Sequence, residues 1–100
     1  MVNKSKAKGN RFERQIVDLA KSKGLHSVRA WGSNGAALGE HPEVDLLINK
    51  YKVQAKCRKE LPSYIKPNNN VDWQVIKEDR GEIYAVIPLK ELLDLLPRNL

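Results

Sequence analysis

A short apolar run, Val44 to Ile48, and an alternating run, Tyr51 to Arg58, are separated only by Asn49-Lys50. So short a connection, with Asn in it, leaves room for a tight β-hairpin and little else. A hairpin commits both runs to an antiparallel pair whose side chains alternate between two faces. On the second strand Val53, Ala55 and Cys57 share one face and read as core, while Gln54 and Lys56 share the other. Asp45 opens the first strand ahead of Leu46-Leu47-Ile48, so the hairpin brings it near the Gln54–Lys56 face. A lone hairpin is marginal in water, so the rest of the chain must cover it.

The spacing predicts a helix from about Asn10 to Lys23. Asn10 reads as its N-cap, Glu13 three residues on completes a capping box, and Gly24 is the stop. Residues 1–9 read as a flexible basic arm, and residues 10–100 as a single domain, which suits the length. Leu25 to Ala30 reads as a short strand. Trp31 to Pro42 carries three glycines and reads as a loop. Leu61 to Lys66 reads as a helical turn, and Pro67-Asn68-Asn69-Asn70 as a surface loop. Two further strands are expected over Val71–Lys77 and Glu82–Ile87, joined at Asp79-Arg80-Gly81, and a short amphipathic helix over Leu89–Leu96. This order implies an α/β fold, a mixed central β-sheet flanked by helices.

A formal charge of +6 favours a polyanionic partner, nucleic acid before membrane. No apolar run approaches the length of a membrane span. The basic start has no apolar region after it, so it is no secretory signal. One cysteine, Cys57, excludes an internal disulfide and fits a reducing, intracellular compartment; it reads as core. His26 and His41 have no third ligand, so zinc is not expected. Trp31, beside the glycine loop, either stacks on a base or sugar or packs and anchors the loop. Trp73 reads as core. The leucines of the last helix read as a face packed on the sheet or on a second subunit.

Two places carry chemistry. At about 100° per residue, Phe12, Ile16, Val17, Leu19 and Ala20 gather on one sector of the first helix, with Arg14, Asp18 and Lys21 opposite. Glu13 falls inside the apolar sector. A carboxylate there costs free energy unless it is paired, capped or bound to metal, and the pattern leaves these three open. In the hairpin, Asp45, the Gln54 amide oxygen and the Lys56 ammonium converge. Mg²⁺ takes a few such oxygens and keeps several waters. A lysine beside it orients water or stabilises phosphate charge, as metal-assisted phosphodiester hydrolysis requires. The plainer alternative is a strand-end Asp and a solvated face.

Together the segments resemble a known family. Gly9-Asn10-Arg11-Phe12-Glu13-Arg14-Gln15-Ile16-Val17 resembles the opening helix of archaeal-type Holliday junction resolvases. Val28-Arg29-Ala30-Trp31-Gly32-Ser33-Asn34-Gly35 resembles their strand and Gly/Ser-rich loop. Asp45-Leu46-Leu47 followed by Val53-Gln54-Ala55-Lys56 resembles the PD-(D/E)xK core. The resemblance covers roughly residues 9–58, and more loosely the strand–strand–helix tail. It implies a restriction-endonuclease-like fold and a homodimer cutting paired strands of a four-way DNA junction with Mg²⁺ or Mn²⁺, with no small-molecule cofactor and no membrane.

By the same resemblance, Glu13, Asp45, Gln54 and Lys56 are the catalytic set. Asp45, Gln54, the Ala55 carbonyl and Glu13 hold metal. Arg14 and Arg29 match basic residues that hold the phosphate backbone of DNA, and Ser33 matches a loop position associated with activity and cleavage preference. Apart from the resemblance, Lys4, Lys6, Lys8 and Arg11 form a basic arm that is either a phosphate-binding extension or a solvated tail, and the overall charge favours the former. Two departures stand out. Gln54 replaces the usual Glu and removes a negative charge, and Glu43-Val44 intervene between Pro42 and Asp45, which makes Glu43 the fallback acid. Q-x-K also occurs in Mrr-like and VRR nucleases, so an endonuclease acting on duplex or flap DNA is one alternative. A non-catalytic DNA-binding module is the other. The expected location is the cytoplasm, and the short chain would suit a phage or virus.

Overall fold

The structure is a computed structural model that describes residues 4–98, and only the backbone of Ser33. It contains α1 (Lys4–Ser22), β1 (Ser27–Arg29), β2 (Leu46–Ile48), β3 (Tyr51–Val53), β4 (Gln74–Lys77), β5 (Ile83–Val86) and α2 (Leu89–Leu95). The chain is thus a small α/β protein. It divides into two compact units: residues to Cys57 together with the end from Leu96, and Arg58–Leu95.

In the first unit, α1 packs on an antiparallel sheet of order β1-β2-β3. The β2–β3 hairpin has the expected register, with Ile48 opposite Tyr51 and Leu46 opposite Val53. Asn49 makes this turn possible. Its φ is 50°, a left-handed conformation that Asn tolerates because its short side chain bonds locally. Its Oδ1 accepts from His26 N at 3.3 Å, its Nδ2 donates to the Pro97 carbonyl oxygen at 3.0 Å, and its own N donates to the His26 carbonyl oxygen at 2.7 Å. The turn therefore ties β1 and the chain end to the hairpin. Ile16, Val17, Ala20, Leu25, Ala30, Val44, Leu46 and Ile48 form the buried core.

In the second unit β4 and β5 pair antiparallel, Gln74 with Val86 through Lys77 with Ile83. The connection carries Arg80 at φ 61°, and the Gly81 N–H closes onto the Glu78 carbonyl oxygen. Leu93 of α2 is buried.

Four expectations are corrected. Helix α1 begins at Lys4, not Asn10, so the expected arm is helical from that residue; residues 1–3 lie outside the described residues. Lys and Ala are strong helix formers, and a basic stretch without apolar periodicity conceals a helix from pattern reading. The sheet is not mixed: every ladder among the described residues is antiparallel. Leu61 to Lys66 forms a turn, not a helix, with Ile65 N bonded to the Pro62 carbonyl oxygen. Trp73 is 54% exposed, and its indole N–H donates to Glu91 Oε1 at 3.0 Å.

Candidate active site

Asp45 sits at the mouth of the β2–β3 hairpin and is almost fully buried. Its backbone is held on both sides. Its N–H donates to the Val53 carbonyl oxygen at 2.9 Å, and its carbonyl oxygen accepts from Ala30 N at 2.8 Å. Its side chain then reaches across the hairpin end, where Oδ2 accepts the Ala55 N–H at 2.8 Å. The regular ladder of β3 stops at Val53, so this side-chain bond continues the pairing where the backbone no longer does. It holds Gln54, Ala55 and Lys56 beside the carboxylate. The alternation read from sequence persists there: Gln54 and Lys56 are exposed, while Val53, Ala55 and Cys57 are half-buried.

Glu13 projects from the buried stripe of α1 with Ile16, Val17 and Ala20. Of the three ways to accommodate it, the structure shows pairing. Arg29 Nε donates to Glu13 Oε1 at 3.0 Å, and Arg29 Nη2 donates to Asn10 Oδ1 at 3.1 Å. The capping box cannot form, because Asn10 lies inside α1. Asn10 instead helps Glu13 hold one guanidinium in a fork. Asn10 and Glu13 are three apart, hence on one helix face; that spacing was the available signal for Asn10's part. Arg29 lies opposite Leu46, the residue after Asp45, which puts the Glu13–Arg29 pair one strand position from Asp45.

The remaining candidates fall in two groups. Arg11 and Arg14 are exposed on α1, Arg14 turning back to the Asn10 carbonyl oxygen at 3.3 Å, and Lys8 is half-buried. Ser33 belongs to the short 3-10 turn Trp31–Ser33, and its side chain lies outside the described residues. Glu43, the fallback acid, is exposed. Ser27 went unnoticed in the sequence, where one serine in a strand carries no signal; it is buried and its hydroxyl donates to the Leu47 carbonyl oxygen at 2.6 Å. Among the described residues, no three His, Cys, Asp or Glu side chains gather as a ready metal cage. No described helix is long and apolar enough to cross a membrane.

A comparison with protein families matches residues 4–72 to the archaeal Holliday junction resolvases. The chain belongs to that family. Its members are nucleases that resolve four-way DNA junctions, and the matched span includes Glu13, Arg29, Asp45, Gln54 and Lys56. Comparisons with curated proteins and with solved structures found no match.

Proposed function

We propose that this protein is a homodimeric, divalent-metal-dependent endonuclease that resolves four-way DNA junctions by paired phosphodiester hydrolysis, on a restriction-endonuclease-like fold. The observation that carries the reading is the bond from Ala55 N to Asp45 Oδ2. It sets one buried carboxylate beside the Gln54–Ala55–Lys56 run, in the order that the family's catalytic core implies.

The donors there suit Mg²⁺ or Mn²⁺. Asp45, the Gln54 amide oxygen and the Ala55 carbonyl are hard oxygen ligands, and a small octahedral cation completes its shell with water. A bound ion would supply Lewis-acid stabilisation and a more acidic water. The protein's own groups do the rest. Lys56, exposed at the hairpin end, orients water or neutralises phosphate charge. Glu13, already bonded to Arg29, sets where that guanidinium points. Arg29, Arg11, Arg14 and Lys8 meet the phosphate backbone, whose contacts position without reading sequence. This reading places the protein with DNA inside a cell.

The test is cleavage of a labelled four-way junction beside linear duplex of the same sequence, with Mg²⁺, with Mn²⁺ and with chelator. Paired, metal-dependent nicking of the junction is expected. Asp45→Ala and Lys56→Ala should each cost at least about a hundredfold in rate while junction binding survives. Full-rate cleavage by Lys56→Ala would remove it from the site. Equal cutting of duplex would move the substrate to linear DNA. The second reading, a binding-only module, is favoured by Gln54 standing where the family usually has Glu; salt-sensitive junction binding without turnover in any metal would establish it.

A further inference from the structure

Trp31 is 86% exposed, which removes the core-packing alternative. In the first unit, Trp31 and Tyr51 are the only described large hydrophobic residues left exposed. Tyr51 has Lys50 Nζ over its ring at 5.8 Å. The Trp31 indole is by far the more open of the two.

Its setting is rigid and close to the candidate active site. The preceding residue, Ala30, is fully buried, and its N–H is bonded to the Asp45 carbonyl oxygen at 2.8 Å. Trp31 therefore leaves the sheet one residue from the pairing that fixes the candidate catalytic carboxylate. Beyond it the chain turns through Gly32 at φ 65° and is clamped again at Gly35. A Cβ at Gly35 would collide with the His41 carbonyl oxygen, and the Gly35 carbonyl oxygen accepts from Glu40 N at 2.8 Å. Asn34 Oδ1 caps the next turn by accepting from Ala36 N at 2.9 Å. The indole thus stands on a short turn anchored at both ends, so little ordering entropy is lost when it meets a ligand.

We propose that Trp31 is a substrate-contacting residue that stacks on a nucleobase exposed at the branch point of the DNA junction. The proposal rests on the junction-resolvase reading above. A flat π surface held in water beside a site for phosphate chemistry matches the exposed face of a base, and aromatic stacking tolerates any base because each has a π-face. In continuous duplex both faces of each base are covered by neighbours. At a branch point one stack is interrupted, so the contact favours branched DNA without reading sequence.

The experiment uses the full chain carrying Trp73→Phe, which leaves Trp31 as the single tryptophan. Its fluorescence is titrated with four-way junction and with linear duplex, in Ca²⁺ or chelator so that nothing is cut. Strong quenching by junction and little by duplex is expected. In the otherwise unaltered chain, Trp31→Ala should weaken junction binding about 5- to 150-fold, the range for removing one base–aromatic stack, and Trp31→Phe should restore most of it. Duplex binding should change less than threefold or so on the same grounds. Unquenched Trp31 on a bound junction overturns the proposal, as does equal quenching by duplex. So does Trp31→Ala binding the junction as tightly as the original chain. Quenching by junction in a protein that never cuts DNA would leave the stacking contact standing and remove the nuclease reading instead.

Discussion

In the first unit, Glu13, Ser27 and Asp45 are buried, and each has a hydrogen-bond partner: Arg29, the Leu47 carbonyl and the Ala55 N–H. In the second, Trp73, Val75, Ile83, Tyr84 and Leu95 are more than half exposed. One unit hides polar groups in a core, and the other shows apolar groups to water. The family match takes in the described first unit up to Cys57 and the opening of the second, and stops at residue 72, before β4 begins. A buried carboxylate needs a rigid, paired environment to keep its geometry, and only the first unit supplies one. In the β4–β5 hairpin Val75, Ile83 and Tyr84 are exposed, and such apolar side chains are surface available to something else.

The largest test of this contrast is Leu46→Ala. Leu46 is completely buried and lies next to Asp45. The loss should be about 3 kcal/mol of unfolding free energy, from transfer and cavity terms together, read by chemical denaturation. Cleavage should fall with it at temperatures where the variant remains folded, because Asp45 inherits its backbone position from this strand. A loss under about 1 kcal/mol would mean that the first unit's core is not what holds the site.

Next comes Arg29→Ala, which removes the guanidinium bonded to the buried Glu13. Breaking a fully buried pair costs several kcal/mol. The Arg29 side chain is a quarter exposed, so screening reduces the expectation to about 2 kcal/mol. A double variant, Glu13→Gln with Arg29→Met, should recover more than half of that, because no uncompensated charge remains. If the double variant is as unstable as the single one, the pair matters through packing and not through charge.

These two residues also show where sequence reading succeeds and stops. The Leu46–Val53 hairpin was legible because two-residue alternation and a two-residue turn each fix register, and the two agree; the strand expected to run on to Arg58 leaves the ladder after Val53. The α1 stripe was legible for the same reason, with Ile16, Val17 and Ala20 where periodicity placed them. The Glu13–Arg29 bond spans sixteen residues, and nothing local encodes it; periodicity showed only that Glu13 needed some partner. The helical start at Lys4 was missed because its evidence is propensity alone. Trp73 was misread because a tryptophan that alternates with Val71 and Val75 along a strand implies core only when another layer covers that face.

Gln54→Glu sharpens the chemical side of the comparison at smaller scale. Restoring the acid should tighten metal dependence on the order of tenfold, about 1.4 kcal/mol, since ligand charge count sets divalent affinity. The measurement is the Mg²⁺ concentration that gives half-maximal junction cleavage. A folded Gln54→Glu protein with no activity would show that Gln54 does not serve the metal at all.

The smallest expected effect lies in the second unit. Val75 and Ile83 are 62% and 66% exposed in the β4–β5 hairpin, so Val75→Ser and Ile83→Thr remove little buried area. Each should change the stability of the isolated chain by less than about 0.5 kcal/mol, against about 3 kcal/mol for Leu46→Ala in the first unit. The informative variable is protein concentration. If a second copy covers this face, as a homodimer would, the variants lose stability only where the original protein associates, and their melting temperatures become less concentration-dependent. If the face stays in water, the variants track the original chain at every concentration, and the proposed homodimer would have to form elsewhere. A loss near 2 kcal/mol in dilute monomer would mean that the second unit has a core of its own around these side chains, and the contrast between the units would fail.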